Sequence, residues 1–384
     1  MELLPRFYRP PDQSYFLFGP RGTGKSAWTQ MHYNNAVRLD LLQPDVLRRY
    51  QGNPERIRDF VHAQPNGQTI IVDEVQRVPE LLSAVHSLIE EKRGWTFVLT
   101  GSSARKLKQT GVDLMAGRAL VRTLHPFMAA ELGKHFDMQT ALRQGMLPVV
   151  WDASSPMDVL KSYVGVYVRE EVQTEGLVRN LGGFSRFLEA VSFSHGQVLN
   201  LSNVARECEV IRKTVEGFLS VLEDLLLCYL LPVFQKRARR ATVKHPKFYL
   251  FDAGVFQSLR PAGPLDGVEE RAGPALEGLV GQHLRAWNAY SGDRNRIYYW
   301  RTQGGSEIDF VVYGPELFQG IEVKHGRRVD RNDLRGLKVF RDEYPEAELL
   351  LLYRGDENLR IDGIRCMPCR EFLTQLIPGR SLPG

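Results

Sequence analysis

In the first third of the chain, five short stretches are dominated by consecutive apolar residues: 14–18 (Ser-Tyr-Phe-Leu-Phe), 36–40, 69–72, 95–100 and 119–124. A strand wetted on one face alternates polar and apolar positions, whereas a strand covered on both faces does not. Helical stretches separate these runs, and strand–helix–strand repetition predicts a parallel sheet. Residues 131–232 carry helical spacing instead, interrupted at Pro148 and at Ser154-Ser155-Pro156. Within them, 199–227 divides into two helices with Val210 in the turn. Asn200 or Ser202 can cap the first, over 203–209. The second, from about Ile211, gathers Val215, Phe218, Leu219, Leu222 and Leu226 on one face. Strands are expected at 229–234 and 248–251. Beyond a Gly/Pro-rich segment at 261–274 the pattern predicts a helix over 275–290 and strands over 297–301, 307–313 and 318–323. A helix near 332–344 and a strand at 348–353 follow.

The loop after the first apolar run reads Gly19-Pro20-Arg21-Gly22-Thr23-Gly24-Lys25-Ser26. It is a complete G-x-x-x-x-G-K-S phosphate loop, placed after a strand and before an amphipathic stretch. Glycines are needed because such a loop wraps a phosphate with its backbone N–H groups, and side chains would hold the main chain away. The following helix N-terminus adds positive potential. Lys25 is expected to reach the β- and γ-phosphates of ATP, and the Ser26 hydroxyl to bind Mg2+. The run 69–72 ends in Asp73-Glu74. Asp73 suits Mg2+ held through water, and Glu74 can orient and deprotonate the attacking water. The next strand ends in Thr100-Gly101-Ser102-Ser103, where a hydroxyl of Thr100 or Ser102 could sense the γ-phosphate; a plain polar turn is the other reading. Arg118, opening the last strand, is either an arginine finger for a neighbouring subunit or an ordinary sheet-edge residue, and Arg105 is a weaker candidate.

In order along the chain, the phosphate loop, Val-Asp-Glu-Val-Gln (72–76), Leu-Thr-Gly-Ser-Ser (99–103), Ala-Gly-Arg (116–118) and His-Pro-Phe (125–127) with Glu131-Leu132 resemble a large prokaryotic family. Its members are AAA-type ATP-binding proteins with a C-terminal domain of unknown function. The resemblance extends to Gly-Met-Leu-Pro (145–148), Lys-Phe-Tyr-Leu-Phe-Asp (247–252) and Ile-Asp-Phe-Val-Val (308–312). It implies an AAA+-like core with ATP and Mg2+ as cofactors.

Length and composition then limit the rest. A chain of 384 residues exceeds what one core usually serves. With 43% hydrophobic and 25% charged residues it is ordinary globular material, which excludes a largely disordered or fibrous chain. The net charge of +5 is mild, so any nucleic-acid surface must come from local clustering. No stretch approaches the ~20 apolar residues that cross a bilayer, and the first residues lack a signal-peptide layout; a cytoplasmic protein with no membrane partner is expected. Cys366 and Cys369 have metal-like spacing, but Cys208 and Cys228 lie far away, so no zinc site is expected.

The expected fold class is α/β in four parts: an AAA+-like P-loop ATPase core (1–130), a helical connector (131–185), a winged-helix domain (186–256) and a restriction-endonuclease-like α/β domain (257–384). Arg212 and Lys213 sit where a helix-turn-helix reader meets the groove. The run from 236 to 247 holds Lys236, Arg237, Arg239, Arg240 and Lys244 without an acid and could lie on phosphates as a wing; a packing module with a solvated loop is the alternative. Glu277 on a helix, Asp309 on a strand, and Glu322 and Lys324 on the next strand follow the order of nuclease-like folds. Their carboxylates could hold a second metal, with Lys324 polarising water. The reading that joins all regions is an ATP-driven DNA motor of the helicase or branch-migration type, assembled as a ring of six since a trans arginine needs neighbours. The alternatives are a nucleotide-switched signalling or defence protein and an ATP-dependent structure-specific nuclease.

Overall fold

The computed structural model describes residues 4–103, 117–167, 172, 181–236, 242–261, 263 and 268–384. Residues group into two units, Tyr8–His125 with Leu222–Leu227, and Met1–Phe7 with Pro126–Val221 and Cys228–Gly384.

The first unit is built on the apolar runs. β1 (Tyr15–Phe18), β2 (Val37–Asp40), β3 (Thr69–Asp73), β4 (Thr96–Gly101) and β5 (Leu120–Thr123) form one parallel sheet in the order β2-β3-β4-β1-β5. All four residues of β1 are buried. Phe16, Phe18, Ile70, Val72, Phe97 and Leu99 pack in one core with Leu81, Leu82, Val85 and Leu88 of the Leu81–Glu90 helix. The expectation of strands covered on both faces holds for the three central strands. It fails for the two edge strands, β2 with Arg38 exposed and β5 with Val121 46% exposed, because an edge strand has one neighbour and less cover.

The second unit carries two sheets. The smaller is antiparallel, ordered β6-β8-β7, from β6 (Gln197–Val198), β7 (Cys228–Leu231) and β8 (Lys247–Leu250). Helices Leu181–Ser192, Leu201–Glu207 and Arg212–Asp224 precede β7, with β6 between the first two. Asn200 caps the second of them by accepting from the Ser202 and Asn203 N–H groups. The larger sheet comprises β9 (Arg296–Arg301), β10 (Glu307–Gly314), β11 (Leu317–Val323), β12 (Glu348–Tyr353), β13 (Leu359–Ile361) and β14 (Ile364–Pro368), ordered β13-β14-β12-β11-β10-β9. β10 runs antiparallel to both β9 and β11, and β11 and β12 are parallel. The parallel step is made across the Arg335–Glu343 helix, whose Phe340 lies against Gly320.

Two features depart from the sequence expectation. The helix expected over 275–290 begins at Val268 and runs through Pro274 to Tyr290. Buried Ala275, Leu276, Leu279, Val280 and Leu284 hold it against the core, which outweighs local propensity near its start. β13, β14 and the Cys369–Gln375 helix were not anticipated, although Asp362-Gly363, with φ of 52° and 79°, is a hairpin signal.

Candidate functional site

In a parallel sheet all strands end at one edge, and the ligand-facing groups collect there. β1 ends in the 19–24 loop, β3 in Asp73 and β4 in Thr100-Gly101. Gly22 and Gly24 have φ of 80° and 88°, a region that other residues enter only at a cost. At Gly19 a Cβ would stand 2.5 Å from the Leu124 carbonyl oxygen, so this glycine serves the approach of two segments. The loop passes directly into the Lys25–His32 helix, whose N-terminus has no side-chain cap. A helix N-terminus carries positive potential that favours an anion there. Lys25 Nζ donates to the carbonyl oxygens of Gly19 (2.6 Å) and Pro20 (3.3 Å). Thr23 is buried and its hydroxyl donates to Pro20 O at 2.8 Å, while Arg21 and Ser26 are exposed.

The acidic pair is held by its neighbour strand. The Thr100 hydroxyl donates to Asp73 Oδ1 and accepts from the Glu74 N–H at 3.2 Å. Glu74 has φ of 58°, a left-handed conformation that turns the chain sharply into the short Val75–Arg77 helix. That turn brings Gln76 back: its Nε2 donates to Glu74 Oε2 (2.6 Å) and to Ser102 Oγ (3.0 Å). Asp73, Glu74, Thr100 and Ser102 therefore form one network, joined by a residue to which the motif reading assigned no role. Arg118 lies at the other edge, before β5, and its guanidinium pairs with Glu90. Arg105 lies outside the described residues.

The second unit brings the C-terminal acids together around Lys247, the last residue of the 236–247 basic run. Lys247, 1% exposed, donates through Nζ to Glu277 Oε1 (3.0 Å) and Asp309 Oδ1 (3.2 Å) and also pairs with Glu307. Burial works against its charge, but Glu277 and its acidic neighbours hold its pKa well above the ordinary lysine range. Glu277, which also accepts from the Tyr249 hydroxyl, is pushed up to about 7 by burial and by the Asp309 charge. Asp309 sits where the pairing of β9 and β10 shifts register, between Ile308 and Val311, and its Oδ2 accepts from the Val323 N–H at 2.9 Å. Lys324 Nζ pairs with Glu322 Oε1 at 2.6 Å. Burial, then Asp309, holds Glu322 well above the usual carboxylate range.

Arg212 and Lys213 are exposed at the start of the Arg212–Asp224 helix, with Arg212 paired to Glu216 at 2.9 Å. Lys244 is exposed, and Lys236 Nζ lies 4.1 Å from the Tyr313 ring centre. Arg237, Arg239 and Arg240 fall outside the described residues. The described stem of this basic hairpin is bound to β9: Phe234 N–H donates to Tyr299 O (2.7 Å) and Val243 N–H to Arg301 O (3.1 Å).

Residues 11–133 match the model of an AAA domain, and 119–266 and 272–372 match domains of unknown function, DUF8612 and DUF4143. With its parallel sheet and phosphate loop, the N-terminal unit has the make-up of an AAA-type P-loop domain. Two uncharacterized proteins, from Mycobacterium bovis and Mycobacterium tuberculosis, are each 26% identical over 316 residues, covering 79% of this chain and 69% of theirs. Among solved structures, replication initiator DnaA bound to AMPPCP and single-stranded DNA aligns at 14% identity and a TM-score of 0.30, over 55% of this chain and 82% of that one. The ADP form of the Aeropyrum pernix ORC2 protein aligns at 12% identity and a TM-score of 0.30, over 70% and 88%. No helix among the described residues is long and apolar enough to cross a membrane.

Proposed function

We propose that the chain is a Mg2+-dependent ATP hydrolase that couples turnover to the remodelling or translocation of DNA. The observation that carries the ATPase part is the network at the ends of β3 and β4, with Asp73 and Glu74 fixed by Thr100 and Gln76, and with β4 paired to β1, the strand that feeds the phosphate loop. The donor set fits the nucleotide: an uncapped helix N-terminus, the Lys25 ammonium, the Ser26 hydroxyl and the Asp73 carboxylate. Ser26 and Asp73 would hold Mg2+, which supplies charge neutralisation to the phosphates when bound. Lys25 adds positive charge where the transferring group becomes more negative. Glu74 orients and deprotonates the water, and Gln76 holds its carboxylate in place.

The DNA part rests on topology and exposure. The order Leu181–Ser192 helix, β6, two helices, β7, β8 supports the winged-helix reading, and Arg212 and Lys213 are exposed at the start of the second of the two consecutive helices. A nucleotide-switched interaction protein is the second reading. It is favoured by the hairpin stem, which is bound to β9 rather than free, and by Lys247, which points inward. The experiment that separates them is ATP turnover with no DNA and with single-stranded, duplex and four-way DNA. Under the first reading DNA raises the rate several-fold. Lys25→Ala lowers it by roughly 100-fold or more under either. A slow rate indifferent to every DNA would leave the switch reading in place.

A further inference from the structure

The order of Glu277, Asp309, Glu322 and Lys324 along the chain suggests a metal-dependent nuclease centre, which would need carboxylate oxygens free to converge on one ion. Most of these oxygens are engaged by other partners. Glu277 Oε1 takes Lys247 Nζ at 3.0 Å together with the Tyr249 hydroxyl. Asp309 gives one oxygen to Lys247 at 3.2 Å and the other to the Val323 N–H at 2.9 Å. Glu322 Oε1 is taken by Lys324 at 2.6 Å, and its buried Oε2 has no hydrogen-bond partner. Among the described residues no group of three His, Cys, Asp or Glu side chains is placed to hold a metal ion.

What stands among the carboxylates is an ammonium group. Lys247 is delivered by β8, a strand whose four residues are all buried, so its side chain begins inside the unit and is 1% exposed. An ammonium this deep is tolerated only when carboxylates surround it, and three do: Glu277, Glu307 and Asp309. The dependence is mutual, since the same three acids could not stay together without a cation. A divalent ion entering the cluster would meet that fixed positive charge at contact distance. The residues thus do not fit a metal.

We propose that the Lys247 ammonium is the resident cation of this cluster, occupying the place of a metal ion, so that the C-terminal α/β region keeps a nuclease-like set of acids without metal binding or metal-dependent cleavage. The proposal is independent of the ATPase reading, because its test uses the full chain without nucleotide. Mn2+ uptake is counted by electron paramagnetic resonance for the wild type, Asp309→Asn, Lys247→Met and Lys247→Met with Asp309→Asn. Wild type and Asp309→Asn should take up equal amounts. Lys247→Met, which keeps the length of the side chain and removes its charge, should gain one Mn2+ per chain that the added Asp309→Asn removes. A wild-type Mn2+ that Asp309→Asn abolishes would overturn the proposal, as would a folded Lys247→Met that gains none. Should Lys247→Met fail to fold, the wild-type comparison decides, together with labelled four-way DNA in Mg2+ or Mn2+: no cut above the Asp309→Asn background is expected, and cleavage lost in that variant overturns the proposal.

Discussion

His283 shows how a buried residue sets a pH limit on this fold. Its Nδ1–H donates to the Leu279 carbonyl at 2.8 Å, which leaves Nε2 to accept from the Ala129 N–H at 2.9 Å. Burial pushes its pKa down to about 4. Unfolded, the ring titrates near 6.5. Between those values the unfolded chain takes a proton that the folded one refuses, so the stabilisation is complete above pH 6.5 and is lost as pH falls toward 4. The difference in unfolding free energy between wild type and His283→Gln should therefore shrink by about 2 kcal/mol from pH 7 to pH 5. Urea unfolding at the two pH values measures it, and a difference that does not change with pH would remove His283 as the cause. The same scale shows where sequence reading stops. The loop lysine and the acidic pair are visible as local motifs. Gln76 is not, because its place depends on the left-handed turn at Glu74. Lys247 is not, because it follows a run of cations, and only the burial of all of β8 turns it inward.

At the scale of elements, one carboxylate joins two segments that lie far apart in sequence. Asp252 accepts from the Met146 N–H (2.7 Å) and also caps the Ala253–Leu259 helix through the Gly254 (2.8 Å) and Val255 (3.1 Å) N–H groups. Gly145 ends the Met138–Gln144 helix at φ 78°, and a Cβ there would stand 1.9 Å from Asp252 Oδ1. Gly145→Ala must strain the backbone and displace a buried, fully used carboxylate, and should cost on the order of 3 kcal/mol or more. Gly133→Ala is the control: its φ is also positive, at 52°, but nothing lies within 4 Å of an added Cβ, so only the backbone strain of roughly 1–3 kcal/mol should appear, less than at Gly145. Equal losses in chemical unfolding would show that the contact with Asp252 does not matter. The apolar runs made the parallel strands legible, since burial on both faces is written separately into each of the three central runs. The pairing of 145–148 with 247–252 was not, because neither segment carries the other's pattern.

At the scale of the whole molecule, the place of Arg118 decides whether a second copy takes part in hydrolysis. Strands β1 and β5 are parallel, so the phosphate loop after β1 and the residue before β5 lie at opposite edges of the sheet. Arg118 is at the second edge, paired there with Glu90 at the end of the Leu81–Glu90 helix, and 43% of its side chain is exposed. It cannot serve its own loop from that place, so a role in hydrolysis requires an assembly that sets this edge against the loop of a neighbour, as a ring does. The exposed pair with Glu90 is a weak restraint and would give way readily to a phosphate. Such an arrangement has a numerical signature. Lys25→Ala destroys a loop and leaves the arginine, while Arg118→Ala destroys the arginine and leaves the loop. Each alone should be nearly inactive, the second by roughly 1,000-fold if its charge acts on the transition state. In an equal mixture with free subunit exchange, an intact loop should meet an intact arginine at about one junction in four, restoring about a quarter of the wild-type rate. Full activity of Arg118→Ala would make it an ordinary sheet-edge residue, and no recovery on mixing would exclude its action on a neighbouring copy.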